Sequence, residues 1–315
     1  MTGRPAGEWA AHLDRARQVI AAALPPTPLI ASPGLGQGVH LKLESFQPTG
    51  SFKVRGALAA LSAAGSSYQV VTASTGNHAL GVAWAARRLG VPATIVVPAS
   101  ASPAKLAALQ RLPATVIVHG DSYEDAERHA FSLAGNDLRY LSASGDPGVI
   151  AGQATIGAEL LTQLSGALTV VCGVGGGGLA SGLGLAASRA GTMTVIGVEA
   201  AASPAMSTAL RAGTVIPVKV GDTLADGLAG NLEPGTVTVD LIREHLDGLV
   251  PVTEEQIADA IRYLAREHGL IAEGAGAAPV AAILAGTVPV AGQTVAVISG
   301  RNITLQALAQ VLEAG

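Results

Sequence analysis

The sequence SFQPTGSFKVRGA, residues 45–57, places Lys53 at the start of an alanine-rich helix that we predict to run to about Ala64. This position is unfavourable for a cation, because the helix dipole attracts anions to its N-terminus. We therefore predict that Lys53 is a reactive amine able to form a Schiff base; the alternative is an ordinary solvated lysine. The chain has only four lysines. The other three occupy positions that we expect to be solvated, and they are Lys42, Lys105 and Lys219.

Length and composition predict a globular protein of about two domains, because 315 residues that are 49% hydrophobic and 13% charged require a large core. The formal net charge of −4 gives no basic surface for nucleic acid, and we find no polybasic or amphipathic membrane patch. The single cysteine, Cys172, excludes an intramolecular disulfide and fits a reducing compartment. Residues 8–15 predict an amphipathic surface helix rather than a secretory signal. We therefore expect a cytoplasmic protein that binds neither nucleic acid nor membranes.

Short apolar runs alternate along the chain with longer alanine-rich segments. The runs predict buried strands at residues 39–43, 69–72, 94–97, 115–119, 169–172, 194–198 and 294–298. The segments between them predict helices at 76–89, 103–112, 123–134, 152–164, 179–190 and 254–268. Strands that alternate with helices indicate an α/β protein whose parallel sheets are covered on both faces.

A polar segment, Ser74-Thr75-Gly76-Asn77-His78, follows the second predicted strand. At a strand-to-helix junction the backbone N–H groups point outward, and together with hydroxyl and amide side chains they suit a carboxylate. Helix capping by Ser74 or Thr75 is the alternative. The density of polar groups favours a binding site.

Four consecutive glycines lie between another predicted strand and helix: Gly175, Gly176, Gly177 and Gly178. Their backbone is free to wrap a phosphate, and the helix N-terminus adds positive potential. A dinucleotide-binding fold is the alternative, because Glu199 follows the next strand at about the distance where that fold carries an acid. The segment of residues 173–179 is called the glycine loop below.

Other small-residue segments are less decisive. Ser299 follows the last predicted strand, and open α/β sheets bind ligands at the carboxyl ends of their strands. Segments 225–229 and 273–278 predict either packing turns or a close approach to a cofactor. The glycine-rich, acidic segment 221–234 predicts a loop that is ordered near a site or mobile.

A reactive lysine, a carboxylate site, a phosphate loop and a terminal serine, in that order, resemble the tryptophan-synthase-β-like (fold type II) pyridoxal-phosphate enzymes. Within that group the chain is similar to the serine/threonine dehydratase and serine racemase family. The similarity spans nearly the whole chain, and the lysine motif together with the glycine loop is more specific than either alone. The matching segments are residues 42–57, 72–79, 149–153, 173–179, 197–199, 225–227, 273–278 and 299–300.

The resemblance implies the cofactor pyridoxal 5'-phosphate and two three-layer αβα domains with largely parallel, twisted sheets. The implied large cofactor-binding domain comprises residues 1–62 and 146–315, and the small substrate-side domain comprises residues 63–145. The cofactor would lie in the cleft between them. We expect a symmetric homodimer, which is the commonest arrangement of soluble oligomers.

The resemblance also implies a role for each matching residue. Lys53 would hold the cofactor and exchange the substrate α-proton, and Thr75, the second catalytic candidate, would lie across the cofactor ring. The implied cofactor-binding residues are Phe52, Lys53, Asn77, Gly175, Gly176, Gly177, Gly178, Leu179 and Ser299. The substrate carboxylate would be held by Ser74, Thr75, Asn77 and His78.

The implied activity is that of an ammonia-lyase (dehydratase), which converts L-threonine, L-serine or a related β-hydroxy amino acid to a 2-oxo acid and ammonia. An amino acid racemase is the alternative, because Thr75 keeps a hydroxyl where the racemases of the family carry a serine. A dehydratase for a bulkier substrate, such as phenylserine or hydroxyaspartate, is a further variant. A non-catalytic nucleotide-binding protein, from a different class, would leave Lys53 unexplained.

Several positions depart from the family pattern. Arg301 replaces a glycine, which puts a charge near the cofactor ring or in the wall behind it. Relatives that bind a divalent ion carry an acid six residues after Glu199, where this chain has Ala205, so we predict no metal site of that form. Tyr123 lies about where the mammalian racemase has an arginine. The sequence ends at Gly315 without a regulatory domain, so we do not expect feedback inhibition by isoleucine.

Overall fold

The computed structural model of the protein describes residues 6–64, 68–101, 103–135 and 137–314. Its strands are β1 (Leu29–Ala31), β2 (Val39–Lys42), β3 (Gln69–Ala73), β4 (Ala93–Val97), β5 (Thr115–Val118), β6 (Leu138–Tyr140), β7 (Leu168–Gly173), β8 (Met193–Ala200), β9 (Gly248–Val252) and β10 (Gln293–Val297). Its α-helices are α1 (Ala6–Ala23), α2 (Lys53–Ala64), α3 (Asn77–Leu89), α4 (Pro103–Gln110), α5 (Tyr123–Leu133), α6 (Pro147–Gln163), α7 (Gly178–Ala190), α8 (Ala205–Ala212), α9 (Thr238–His245), α10 (Glu254–His268), α11 (Gly274–Leu284) and α12 (Leu305–Glu313). Short 3₁₀ helices span Pro33–Leu35, Glu44–Phe46 and Asp226–Leu228.

The strands form two sheets. The six-stranded sheet has the order β1-β2-β10-β7-β8-β9, in which β1 is antiparallel to β2 and the other neighbours are parallel. The four-stranded sheet has the order β5-β4-β3-β6 and is parallel. Its strands all lie within the predicted small domain of residues 63–145, although the domain boundaries themselves stay a prediction.

Helices cover both faces of each sheet. Apolar side chains of α10, α11 and α12 pack on one face of the large sheet, and those of α6, α7, α8 and α9 pack on the other. On the small sheet, α5 packs against one face, and α2, α3 and α4 pack against the opposite face. The predicted αβα layers are therefore confirmed. None of the helices in the described ranges is long and apolar enough to cross a membrane.

The seven predicted strands form within two residues of their expected ends, and the main differences concern short elements and helix starts. Helix α6 begins five residues earlier than predicted, because the Asp146 carboxylate accepts the backbone N–H groups of Gly148 and Val149 and Pro147 suits a first turn. Residues 273–278 are not a simple packing turn but the beginning of α11.

The expectation that Lys42 is solvated is wrong. Its side chain is fully buried, and Nζ donates to Glu159 Oε2 at 2.7 Å, Gln163 Oε1 at 3.0 Å and the Thr27 carbonyl at 3.0 Å. Arg55, also fully buried, joins Glu159 to Glu44 through bonds of 2.6 to 2.9 Å. Lys219 is exposed as expected, and the Lys105 side chain lies outside the described residues.

Candidate active site

All the predicted site residues line one cavity between the two sheets. The polar segment follows β3, the glycine loop follows β7, and Ser299 follows β10. The carboxyl ends of strands from both sheets therefore meet at this cavity, which is the usual ligand position in open α/β folds.

Backbone bonds to the end of β10 place Lys53 in the cavity. Ser51 forms an isolated bridge with Gly300, and the Phe52 N–H donates to the Ser299 carbonyl at 3.0 Å. Helix α2 therefore begins beside Ser299, as the resemblance implied. Helix α3 approaches the same point closely, because a Cβ at Gly81 would lie only 3.0 Å from the Lys53 carbonyl group.

Lys53 is held without a direct ion pair in the described part of the chain. Its Nζ donates to the Ala143 carbonyl at 2.9 Å and lies 5.2 Å from the centre of the Phe52 ring. Burial lowers the pKa of Lys53 to about 8, although the carboxylates of Glu233 and Glu273 raise it. A larger fraction of this amine is therefore neutral and nucleophilic near pH 7 than for a solvated lysine.

The glycine loop forms a cradle in which side chains would not fit. A Cβ at Gly176 would lie 2.5 Å from Ser144 Oγ, and one at Gly175 would lie 2.9 Å from Leu228 Cα. Gly177 has φ +88°, a left-handed conformation that favours glycine. The N–H groups of residues 175–178 donate to no acceptor within the described ranges, so they are free to bind an anion at the start of α7.

The polar segment after β3 combines capping with open hydrogen-bonding groups. Ser74 Oγ accepts the N–H groups of Gly76 at 3.2 Å and Ala79 at 3.3 Å, so the capping interpretation holds for this residue. The Thr75 hydroxyl has no partner among the described residues and lines the cavity. Both therefore remain available to a ligand, Ser74 through its O–H and Thr75 through its whole hydroxyl.

His78 is nearly fully buried, and its Nε2 lies 3.4 Å from the Leu141 carbonyl. Burial and the nearby charge of Lys53 lower the pKa of His78 to about 3, so the ring is neutral at working pH. Its Nδ1 has no hydrogen-bond partner in the part of the chain that is described. The ring can therefore contribute a hydrogen bond to a ligand but not a positive charge.

Asn77 is fixed by a chain of polar side chains that sequence analysis did not foresee. Its Nδ2 donates to Glu273 Oε1 at 2.6 Å, and its Oδ1 accepts Asn302 Nδ2 at 2.6 Å. Asn302 also donates to the Thr49 carbonyl at 2.9 Å. A Cβ at Gly300 would lie 2.0 Å from Glu273 Oε1, so glycine at this position lets the carboxylate reach Asn77. The network ties the start of α3 to the end of β10.

Sequence analysis also missed Glu233, which lies in the segment 221–234. The hydroxyl of Ser142 donates to its carboxylate at 2.7 and 2.8 Å, and both Glu233 and Lys53 line the cavity. The only signal in the sequence was an acid within a glycine-rich segment. Its place beside the lysine depends on how two distant loops meet, which local pattern does not encode.

Two other predicted positions lie as follows. Ser299 is 4% exposed, and its hydroxyl makes a long contact of 3.4 Å with the Ala275 carbonyl. Arg301 is exposed, donates to the Ser45 carbonyl and lies over the Phe46 ring.

Tyr123 and Glu199 lie outside the predicted contact set, and of the two Tyr123 belongs to the cavity lining. Tyr123 lines the cavity, with its hydroxyl 3.3 Å from the Ala73 carbonyl and 3.3 Å from Glu127. Glu199 is buried and accepts the Ser207 N–H at 3.2 Å, at the beginning of α8.

These residues fit pyridoxal phosphate. The amine of Lys53 suits an aldehyde, the free N–H groups of the glycine loop suit a phosphate, and the small hydroxyl of Ser299 lies beside Lys53 as a partner for a ring nitrogen. A family model described as pyridoxal-phosphate-dependent enzyme matches residues 20–300. The chain belongs to this family.

Similar proteins within the pyridoxal-phosphate family include threonine ammonia-lyases and a serine racemase. L-threonine ammonia-lyase of Thermotoga maritima is 42% identical over 286 residues, which cover 89% of this chain and 71% of the relative. The solved structure of threonine deaminase isoform 2 from Solanum lycopersicum has a TM-score of 0.89 and 33% identity, covering 99% of this chain and 94% of that one. Maize serine racemase has a TM-score of 0.86 and 28% identity, covering 96% of each chain.

Proposed function

We propose that the protein is a pyridoxal-phosphate-dependent ammonia-lyase that converts L-threonine or L-serine to a 2-oxo acid and ammonia. The observation that carries the proposal is the position of the Lys53 amine, which faces the glycine loop and the polar segment after β3 in one cavity. The similarity to threonine ammonia-lyases over most of the chain supports the choice of reaction.

In this proposal the cofactor would be held at five points. Lys53 binds its aldehyde carbon, and the N–H groups of Gly175, Gly176, Gly177, Gly178 and Leu179 bind its phosphate. Ser299 faces its ring nitrogen, Asn77 hydrogen-bonds its phenolic oxygen, and Phe52 packs beside it. When bound, the cofactor supplies an electron sink for the charge that develops at the substrate α-carbon. A neutral serine at the ring nitrogen favours elimination over transamination-like side reactions.

The substrate is positioned by the start of α3. Ser74, Thr75, Asn77 and His78 bind its carboxylate through hydroxyl, amide and ring groups. His78 is neutral and supplies no charge, and its Nδ1 donates a hydrogen bond only in the tautomer in which Nε2 carries no proton. Lys53 accepts the α-proton at Nζ, and the β-hydroxyl leaves with one proton as water. Addition of a water molecule to the resulting enamine then gives the 2-oxo acid and ammonia. The lowered pKa of Lys53 supports this role, since a neutral amine is needed to accept the proton.

A racemase is the second candidate, and one observation favours it. Thr75 presents a hydroxyl to the cavity that has no partner within the described ranges. Such a hydroxyl is able to carry a proton to the face of the α-carbon opposite Lys53. This hydroxyl forms no hydrogen bond to a base among the described residues, however, so we place elimination first.

Three further features belong to the proposal. The domains comprise residues 1–62 with 146–315 and residues 63–145, which the segregation of strands between the two sheets supports. The enzyme is a homodimer, as expected for soluble oligomers, and it is cytoplasmic.

A panel of amino acids tests the reaction. The holoenzyme is incubated with L-threonine, L-serine, phenylserine and hydroxyaspartate, and both 2-oxo acid and the enantiomer of the remaining substrate are measured. We expect 2-oxo acid from threonine or serine in excess of any D-amino acid. If D-serine accumulates faster than pyruvate, the enzyme is mainly a racemase and the lyase assignment is wrong.

A further inference from the structure

Glu233 lies in the same cavity as Lys53 but has no role in the reaction described above. Both of its carboxylate oxygens accept the Ser142 hydroxyl. The residue after Ser142 is Ala143, whose carbonyl accepts the Lys53 Nζ. One short segment after β6 therefore holds the carboxylate and the amine side by side. The carboxylate is fixed in place, while its remaining lone pairs stay open to a ligand.

The surroundings of Glu233 are acidic and poor in compensating charge. Burial raises the pKa of Glu233, Glu127 and Asp146 raise it further, and Ser142 and Lys53 oppose the change. Glu127 itself is held by the hydroxyls of Tyr123 and Tyr140, on the small-sheet side of the cavity.

The lining of the whole cavity also carries more acidic than basic side chains. Its lining contains seven carboxylates but only three lysine or arginine side chains among the described residues. The two arginines are already paired, Arg128 with Asp125 at 2.5 Å and Arg189 with Asp14 at 2.7 Å. A substrate that carries a second carboxylate would therefore meet negative potential and find no unpaired arginine to receive it within the described ranges.

We propose that Glu233 determines the substrate side chain: it accepts the hydrogen bond of a neutral β-hydroxyl and excludes amino acids with a carboxylate at that position. The inference rests on the proposed function for the identity of the reaction, and it separates threonine and serine from hydroxyaspartate. A hydroxyl gains a charged acceptor from Glu233, whereas a carboxylate would be placed against a like charge in a partly desolvated site.

Glu233→Gln is the variant that tests this role, because glutamine keeps an oxygen to accept the Ser142 hydroxyl but removes the charge. Glu244→Gln is the matched control, since Glu244 lines the same cavity but its side chain is 73% exposed. Ser142→Ala is the second variant, because it keeps the charge and releases the carboxylate from its holding bond.

Binding is measured first, with a pair of ligands that differ in charge alone. L-asparagine and L-aspartate are titrated into the holoenzyme, and the change in cofactor absorbance gives each Kd. We expect asparagine to bind at least about tenfold more tightly than aspartate in the wild type, and the ratio to fall to about threefold or less in Glu233→Gln. Glu244→Gln should keep the wild-type ratio, and Ser142→Ala should give an intermediate one.

Turnover is measured second. We expect Glu233→Gln to lower kcat/KM for threonine by roughly tenfold and to raise it for hydroxyaspartate. An asparagine-to-aspartate ratio that is the same in Glu233→Gln as in the wild type overturns the inference, as does a wild type that binds aspartate more tightly. If the ratios behave as expected but no hydroxy amino acid yields a 2-oxo acid, the proposed reaction is wrong and the charge selection by Glu233 stands.

Discussion

Lys42 lies at the end of β2 and Lys53 at the start of α2. The Lys42 side chain is fully buried, and the Lys53 side chain is partly buried in the cavity wall. Burial lowers the pKa of each. Their partners differ, however. Lys42 donates to a carboxylate, an amide oxygen and a carbonyl, which use all three of its N–H groups. Lys53 donates to one carbonyl, and its two carboxylate neighbours act only at longer range.

The difference between the two lysines lies in how many bonds each forms. A buried ammonium whose three donors are occupied is part of the structure, since the bonds compensate for the loss of water. A buried ammonium with two open donors is costly, and the cost is lowered when the amine loses its proton or binds a ligand. We therefore expect changes at Lys53 to affect activity and changes at Lys42 to affect stability.

The largest expected effect is that of Lys53→Ala. Activity should fall by about a thousandfold or more, because both the attachment of the cofactor and the transfer of the α-proton depend on Nζ. The melting temperature of the apoenzyme should not fall, because the variant removes a desolvated amine with a single bond, whereas loss of the cofactor would lower that of the holoenzyme. Keto acid release and thermal unfolding measure the two effects, with the exposed Lys219→Ala as control. Full activity in Lys53→Ala would refute the assignment.

Lys42→Met should lower the stability of the protein and leave its activity unchanged. Methionine fills the space of the stem but leaves Glu159 with Arg55 as its remaining buried cation, so we expect a loss of about 3 kcal/mol in the free energy of unfolding. The kcat of the folded fraction should stay unchanged. Urea unfolding and steady-state kinetics measure these quantities, and Lys219→Met is the control. If Lys42→Met keeps its stability but loses kcat, Lys42 has a functional role and the proposed difference between Lys42 and Lys53 is wrong.

The sequence allowed the layers of the fold to be predicted because its strands are continuous apolar runs. The short edge strand β1 and the strands β6 and β9 were not predicted, since three to five residues with mixed burial give no clear period. Helix α11 was not predicted because its glycines and internal Pro279 are poor helix signals. Tertiary packing outweighs propensity there, because its residues 274–283 are all buried.

For the site, the family assignment from the lysine motif and the glycine loop is confirmed. The lysine environment could not be predicted to the same depth. The surroundings of Lys42 depend on Glu159 and Gln163, far along the chain in α6, and those of Lys53 depend on Glu233 and Glu273. Residues that act through long-range contacts leave no local pattern, so the sequence could not separate a paired lysine from an open one.

The smallest expected effect concerns the pKa of Lys53 and sharpens the comparison most directly. The neutral amine captures the cofactor aldehyde, so the rate of cofactor uptake by the apoenzyme should rise with pH, with a midpoint near the pKa of about 8. Because the Glu233 carboxylate raises the pKa of Lys53, Glu233→Gln should move this midpoint to lower pH, by less than about one unit.

Stopped-flow absorbance at a series of pH values measures the midpoint, and Glu244→Gln is the control. A midpoint above 10 in the wild type would mean that Lys53 titrates as a solvated lysine, and a shift to higher pH in Glu233→Gln would mean that Glu233 does not act on it as a negative charge.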